Sequence, residues 1–315
     1  MAPYVSVVIP IYNEEANIER LWARLSKVLQ GFDEKGWEVV MTDDGSRDKS
    51  LEMILEIAKA EPRVKVVEFN RNYGQHSAIF AAFAQVEGKI VITMDADLQN
   101  PPEEIPNLVA KMEEGFDVVG GWRQGRGRND SIFRTLPSKI VNAMTRKTTG
   151  VRLNDYGCML RAYSREVVDS MLQCRERSSF IPALANSFAK RITEIPVAHA
   201  ERAAGDSKYG LWRLINLQFD LLTSFSLLPL QMLSVLGVAI ASLGFLLFVG
   251  LIIYRFLDPE GTVGGVFTLF AILFFFVGCQ FVAFGLLGEY IGRIYVEVRD
   301  RPKYIIKKIH SKTRG

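Results

Sequence analysis

Apolar residues are arranged in two distinct ways along this chain. Up to about residue 210 they come in short runs and helical stripes, separated by charged and turn-forming residues. Beyond residue 220 they form two long tracts. In the first region, residues 5–9, 37–42, 64–69, 90–94 and 118–121 are compact apolar runs of strand length. Between them, residues 15–29, 49–60, 77–86 and 103–114 carry apolar positions at helical spacing. Gly31 lies just past the first of these helices. Pro101-Pro102 leads into the last, where missing amide donors cost little. Strands alternating with helices predict an α/β domain: a Rossmann-like, mainly parallel sheet covered on both faces. Further on, the pattern predicts a helix over 132–148, strands over 159–163 and 192–197, and a helix over 165–172.

The long tracts change the picture. Residues 221–254 and 261–288 contain no Asp, Glu, Lys or Arg. Each exceeds the ~20 residues that cross a bilayer and is far longer than a buried core helix needs. They predict two transmembrane helices. Ahead of them, Trp212, Ile215, Phe219 and Leu222 recur at helical spacing, with Arg213, Asn216, Gln218 and Asp220 between them. That pattern predicts an amphipathic helix in the membrane interface. Arg293, Arg299, Arg301, Lys303, Lys307, Lys308, Lys312 and Arg314 follow the second tract, whereas the link between tracts sets Arg255 against Asp258 and Glu260. The positive-inside rule then places both termini and the first domain in the cytoplasm. The first residues have no basic stretch and only a short apolar run, so no signal peptide is expected. The division expected is a cytoplasmic α/β domain over 1–207, an interfacial helix over 208–229, a transmembrane hairpin over 230–290 and a basic cytoplasmic tail over 291–315. The tail is expected to meet anionic lipid headgroups.

Composition adds exclusions. The net charge of +3 comes largely from the tail, and nothing else supports a nucleic-acid partner. Cys158, Cys174 and Cys279 are odd in number and widely spaced, which suits a reducing cytosol rather than a disulfide framework. The three histidines have no metal-ligand spacing. No Gly-x-Gly-x-x-Gly follows the first strand and no Walker loop is present, so dehydrogenase and P-loop kinase readings lose their main support.

The candidate chemistry lies where the strands end. Asp95-Ala96-Asp97 leaves the run 90–94, and two carboxylates there can hold one hard cation, Mg²⁺ or Mn²⁺, that shares substrate phosphates. Gln99 can add its amide oxygen or be an ordinary loop residue. Pro10-Ile11-Tyr12-Asn13-Glu14 and Asp43-Asp44-Gly45-Ser46 leave two further strands. Open parallel sheets bind ligands at those carboxyl ends. Asp44 and Glu14 suit the N–H donors or hydroxyls of a nucleoside, and Tyr12 suits stacking on its base. The second loop reads equally as a turn that caps the next helix. Arg123, Arg134, Ser138, Arg202 and Lys208 all precede the membrane tracts; if they converge, they would hold an acceptor phosphate at the lipid surface.

These strand-end motifs resemble the series found in family-2 glycosyltransferases of the GT-A fold. With the two C-terminal tracts, the chain is similar to polyisoprenyl-phosphate glycosyltransferases over nearly its whole length. Asn70–Ser77, Asn100–Glu104, Asp155–Arg161 and Leu287–Arg293 point to a subgroup of that family. The resemblance implies a UDP-sugar donor, most specifically one carrying 4-deoxy-4-formamido-L-arabinose, and undecaprenyl phosphate as acceptor, with glucosyl or mannosyl transfer as the alternative. It implies that Asp95, Asp97 and Gln99 bind the metal and that Asp97 is essential to catalysis. It places Pro10, Tyr12, Glu14 and Asp44 around the nucleoside. Arg123, Arg134, Ser138 and Arg202 fall at phosphate-holding positions. Asp155 falls at the place of a general base, where orienting the sugar or an arginine is the other reading. It further implies inversion at the sugar, a role in lipid A modification and polymyxin resistance, a multi-pass protein of the bacterial inner membrane, and a homotetramer. Gly237, Gly244, Gly250, Gly278, Gly285 and Gly288 would permit close helix packing.

Overall fold

The computed structural model describes residues 2–123, 155, 157–174, 181–198, 228–257, 265–298 and 302–311. The chain divides into two compact units, residues 1–214 with 301–315, and residues 215–300.

In the first unit the apolar runs become strands: β1 Val5–Ile11, β2 Trp37–Asp43, β3 Val64–Phe69, β4 Ile90–Thr93, β5 Val118–Arg123, β6 Arg161–Ser164, β7 Ile192–Val197 and β8 Ile306–His310. They form one sheet in the order β7-β5-β6-β4-β1-β2-β3-β8. Pairing is parallel for β1 with β2 and β4, for β2 with β3, and for β5 with β7. It is antiparallel for β6 against both β4 and β5, and for β8 against β3. The sheet is therefore mixed but mainly parallel, and it carries helices on both faces.

The alternation of side chains decides which face each residue serves. Val5, Val7, Ile9 and Ile11 of β1 join Val39 and Met41 of β2 in one core, whereas Val8, Val40 and Val91 join the other. Helix α1 (Glu15–Gln30) closes the first core with Ile18, Leu21, Leu25 and Leu29, all at most 1% exposed. Each such aliphatic side chain contributes roughly 1.5–3 kcal/mol by leaving water. Residues of α2 (Ser50–Ala60) and α4 (Ile105–Glu113) share that core, and α4 is entered through a 3-10 turn, Pro102–Glu104. Helices α3 (Gln75–Phe83), α5 (Arg165–Gln173) and α6 (Ile181–Phe188) supply the opposite core. Ser164 caps α5 by accepting from the Val167 amide.

The structure departs from the sequence reading in several places. Helix α3 spans Gln75–Phe83 rather than 77–86, the strand expected over 159–163 is Arg161–Ser164, and the helix expected over 103–114 is a 3-10 turn leading into α4. Helix α6 was not foreseen. The stretch read as a basic tail contributes β8, an edge strand whose Lys307 Nζ and His310 Nε2 reach Glu68 at 2.5 and 3.0 Å. This part of the stretch is thus tied into the sheet through the buried Glu68 carboxylate.

The second unit holds two long helices, α7 (Leu228–Leu257) and α8 (Gly265–Val298). Phe275–Gly292 in α8 is an apolar stretch long enough to cross a bilayer, and Val235–Gly244 is the shorter apolar stretch recorded in α7. Large apolar side chains lie open on both, among them Val235 at 71% and Phe281 at 70% exposure. The predicted interfacial helix, 208–229, lies almost wholly outside the described residues.

Candidate active site

Strand direction decides what meets at one edge. Residues 12–14, 44–46, 70–74, 95–99 and Arg123 follow or end the parallel strands β1 to β5. Because β6 runs the other way, the residues that lead into it, including Asp155, lie at the same edge. Beside β1 the order reverses, with β2 on one side and β4 on the other. Such a switch point opens a crevice at the carboxyl ends. The loops after β1 and β4 flank it.

The loops after β1, β2 and β3 are knitted together. Asn13 sits at φ 56°, a left-handed conformation that asparagine tolerates. Its backbone amide donates to Ser46 Oγ at 3.1 Å, and its Oδ1 accepts from the Arg47 amide at 2.8 Å. Gly45 sits at φ +69°, and an added Cβ would lie 2.5 Å from the Arg71 carbonyl carbon. Only glycine lets these loops approach so closely. Asp44 is 2% exposed, and its two oxygens accept from the Tyr73 and Gly74 amides at 2.6 and 2.9 Å. Burial pushes its carboxyl above the ordinary range, against the pull of those two amides. Asp44 therefore anchors the start of α3. Around it, Pro10 is half-buried at the end of β1 and Tyr12 is 43% exposed. Glu14 precedes α1, with its Oε2 accepting from Asn17 Nδ2 at 2.6 Å.

Asp95 and Asp97 emerge from β4 on a strained loop. Leu98 between Asp97 and Gln99 has φ 61°, which a leucine rarely adopts, and is 4% exposed. Asp95 Oδ1 accepts from Gln75 Nε2 at 2.6 Å, and Asp97 Oδ1 accepts from the Gln99 backbone amide at 3.1 Å. Asp95 keeps some surface open, yet protein crowds most of it. That burial, with the like charge of Asp97 second, pushes its pKa up to about 7. Nearby Glu14 adds to the rise, while the Gln75 bond and Arg123 oppose it. The donor set suits a hard divalent cation: two crowded carboxylates repel each other, and a cation between them relieves both. Among the described residues no group of three or more His, Cys, Asp or Glu side chains forms a protein-only cage. A cation on this pair would complete its shell with water and phosphate oxygens, as Mg²⁺ and Mn²⁺ do.

Arg123 and Asp155 form a bidentate pair, Nε to Oδ2 at 2.6 Å and Nη2 to Oδ1 at 2.9 Å. Their side chains are 9% and 14% exposed. Burial works against the Arg123 charge, but Asp155 outweighs it and holds the guanidinium pKa above its usual value. Asp155 is itself braced from behind. Arg161, fully buried on β6, donates from Nη2 to the Asp155 carbonyl at 2.6 Å and from Nε to the Cys158 carbonyl at 2.9 Å. The Asp155 amide donates to Glu194 at 3.2 Å. Burial pushes the Cys158 thiol up, so it is an unreactive packing group.

The structure thus brings Tyr12, Glu14, Asp44, Asp95, Asp97, Gln99, Arg123 and Asp155 to one edge. Arg134, Ser138, Arg202 and Lys208 lie outside the described residues. Gln75 and Arg161 stood in the sequence only as members of the stretches Asn70–Ser77 and Asp155–Arg161, with no role assigned, and Glu194 was not singled out. Membership of those stretches was the signal for the first two; Glu194 had none.

The pattern of the family described as Glycosyl transferase family 2 matches residues 6–172. A protein of Proteus mirabilis (strain HI4320) named undecaprenyl-phosphate 4-deoxy-4-formamido-L-arabinose transferase is 58% identical over 97% of this chain and 93% of its own length. Proteins of that name from Shewanella sediminis (strain HAW-EB3) and Salmonella choleraesuis (strain SC-B67) are 57% and 54% identical, each over 97% of this chain and over 92% and 93% of their own lengths. Among solved structures, glucosyl-3-phosphoglycerate synthase from Mycobacterium tuberculosis with phosphoglyceric acid matches at a TM-score of 0.50 and 21% identity, covering 71% of this chain and 79% of that one. The same enzyme with Mn²⁺, uridine diphosphate and phosphoglyceric acid matches at 0.50 and 20%, covering 70% and 77%. At that identity the likeness shows the shared α/β fold.

Proposed function

The chain belongs to glycosyl transferase family 2, and on that premise we propose that it transfers 4-deoxy-4-formamido-L-arabinose from UDP to undecaprenyl phosphate at the cytoplasmic face of a bacterial inner membrane. The observation that carries the transferase reading is the crowded Asp95/Asp97 pair at the switch point, electrostatically coupled to the Arg123–Asp155 pair. The names of the relatives at 54–58% identity support the sugar and the acceptor. The product would serve lipid A modification and polymyxin resistance. The open apolar surfaces of α7 and α8 support their role as membrane spans.

The acceptor is a phosphate monoester with a second pKa of roughly 6, so it is largely dianionic at neutral pH. Its oxygen attacks the anomeric carbon as the bond to UDP breaks, and UDP departs from the opposite side, inverting configuration. No proton must leave the nucleophile. Asp155 is therefore not required as a base, and its two bonds to Arg123 support a positioning role. Arg123, held in this way, offers its remaining N–H donors to the acceptor phosphate. Arg134, Ser138, Arg202 and Lys208 are the further phosphate contacts proposed from the sequence. Asp95 and Asp97, with Gln99, would hold Mg²⁺ or Mn²⁺, which supplies neutralisation of the charge on the leaving diphosphate. Tyr12 stacks on the base, while Glu14 and Pro10 line the nucleoside pocket shaped by the Asp44 loop.

Stereochemistry tests the displacement. NMR of the lipid-linked product should show the anomeric configuration opposite to that of the donor. Retained configuration would contradict direct attack by the phosphate.

A further inference from the structure

Each carboxylate of the pair has one oxygen held by a protein amide. For Asp97 the donor is the backbone N–H of Gln99, and for Asp95 it is the side-chain amide of Gln75 at 2.6 Å. The second contact is the unusual one. It crosses from the start of α3 to the end of β4, and a side-chain donor depends on its own residue type. Gln75 is also held in place. It is the first residue of α3, directly after the two amides that Asp44 captures, and the Ser77 hydroxyl donates to the Tyr73 carbonyl at 3.0 Å. Gly74, at φ +91°, makes the turn that aims the helix start toward Asp95. A chain of contacts thus runs from the β2 loop through Asp44, Tyr73 and Gly74 to Gln75 and then to Asp95.

We propose that Gln75 is the positioning residue of Asp95. By occupying Oδ1 it fixes the rotation of the carboxylate, so that the other oxygen faces the cation shared with the donor diphosphate. Partners that orient metal-binding carboxylates commonly govern affinity by 10- to 100-fold. Gln75 itself is exposed and buries no core surface. Its removal should act on the metal rather than on the fold. The inference rests on the metal-dependent transferase reading.

The test is Mn²⁺ binding to the purified full chain in detergent with UDP present, followed by EPR of free Mn²⁺, for wild type, Gln75→Leu and Gln75→Asn. Gln75→Leu should raise the Mn²⁺ Kd by about 10- to 100-fold. Its Tm in the absence of metal should match wild type, and the Mn²⁺ concentration giving half-maximal turnover should rise in parallel. Gln75→Asn, with the amide on a shorter arm, should fall between the two. An unchanged Mn²⁺ Kd in Gln75→Leu, or a fall in Tm and turnover with no shift in the Mn²⁺ midpoint, would overturn the positioning role. Should the wild type bind no Mn²⁺ and turn over fully in chelator, the metal-dependent reading fails instead, and the two failures remain distinct.

Discussion

Removing Asp155 should damage the enzyme mainly through Arg123, its charged partner; the Asp155 carboxylate also accepts from the Gly157 amide at 3.0 Å. The pair is bidentate, with side chains 9% and 14% exposed. Without Asp155 the Arg123 guanidinium is no longer held for the phosphate, and losing one preorganised donor costs about 2.7–4 kcal/mol of transition-state stabilisation. Water reaching the freed guanidinium still leaves it charged, so the lower end of that range applies. At about 1.36 kcal/mol per factor of ten, a loss near 3 kcal/mol is roughly 10²-fold in kcat/KM. Asp155→Ala should therefore lose about 10²-fold. Arg123→Ala should lose at least as much, because it also removes a phosphate contact. The double variant should be no worse than Arg123→Ala to within a factor of about three, since the second change removes nothing that still works. The assay is a double-mutant cycle on initial rates at saturating metal, with Tm measured for each variant. If Asp155 were a base acting on its own, the two losses would multiply to about 10⁴-fold or more, and the positioning argument would be refuted.

Gly45→Ala should be poorly tolerated, because its Cβ would sit 2.5 Å from the Arg71 carbonyl carbon at φ +69°. A fall of several degrees in Tm together with weaker UDP binding is expected, whereas wild-type affinity would contradict the role given to that loop contact. Glu68 loses solvation by burial, but bonds from Lys307 and His310 outweigh this and hold its pKa below the usual carboxylate value. A depressed carboxyl contributes stability above its unfolded pKa of about 4.3 and loses it as pH falls through the folded value. Urea unfolding in detergent should accordingly show wild type above Glu68→Gln at pH 7, with the gap closing below about pH 4. A constant gap would dismiss the linkage. Asp97→Ala should abolish chelator-sensitive transfer while leaving the protein folded by circular dichroism; full turnover in that variant would remove the metal from the mechanism.

Much of the site was legible because its motifs are local. Pro10–Glu14, Asp43–Ser46 and Asp95–Gln99 each directly follow or close a compact apolar run, so strand ends and candidate ligands could be read together. The pieces that were missed depend on partners distant in sequence. The reversed direction of β6 is set by pairing with β4 and β5, and no property of Arg161–Ser164 announces it. Strand β8 carries Lys307, Lys308 and His310, which resemble a solvated tail until Glu68, more than 230 residues away, is seen to receive two of them. Asp44 was read both as a turn-and-cap residue and as a nucleoside contact; its bonds from the Tyr73 and Gly74 amides, on a loop distant in sequence, were not legible.

The central claim concerns what is transferred and to what. The direct measurement uses purified protein, undecaprenyl phosphate and Mn²⁺, with UDP-4-deoxy-4-formamido-L-arabinose, UDP-glucose and GDP-mannose offered in parallel. The account predicts lipid-linked product from the first donor alone, lost on chelation. Product from glucose or mannose instead would contradict the assigned sugar, and no product from any donor, with UDP still bound, would contradict the enzyme itself.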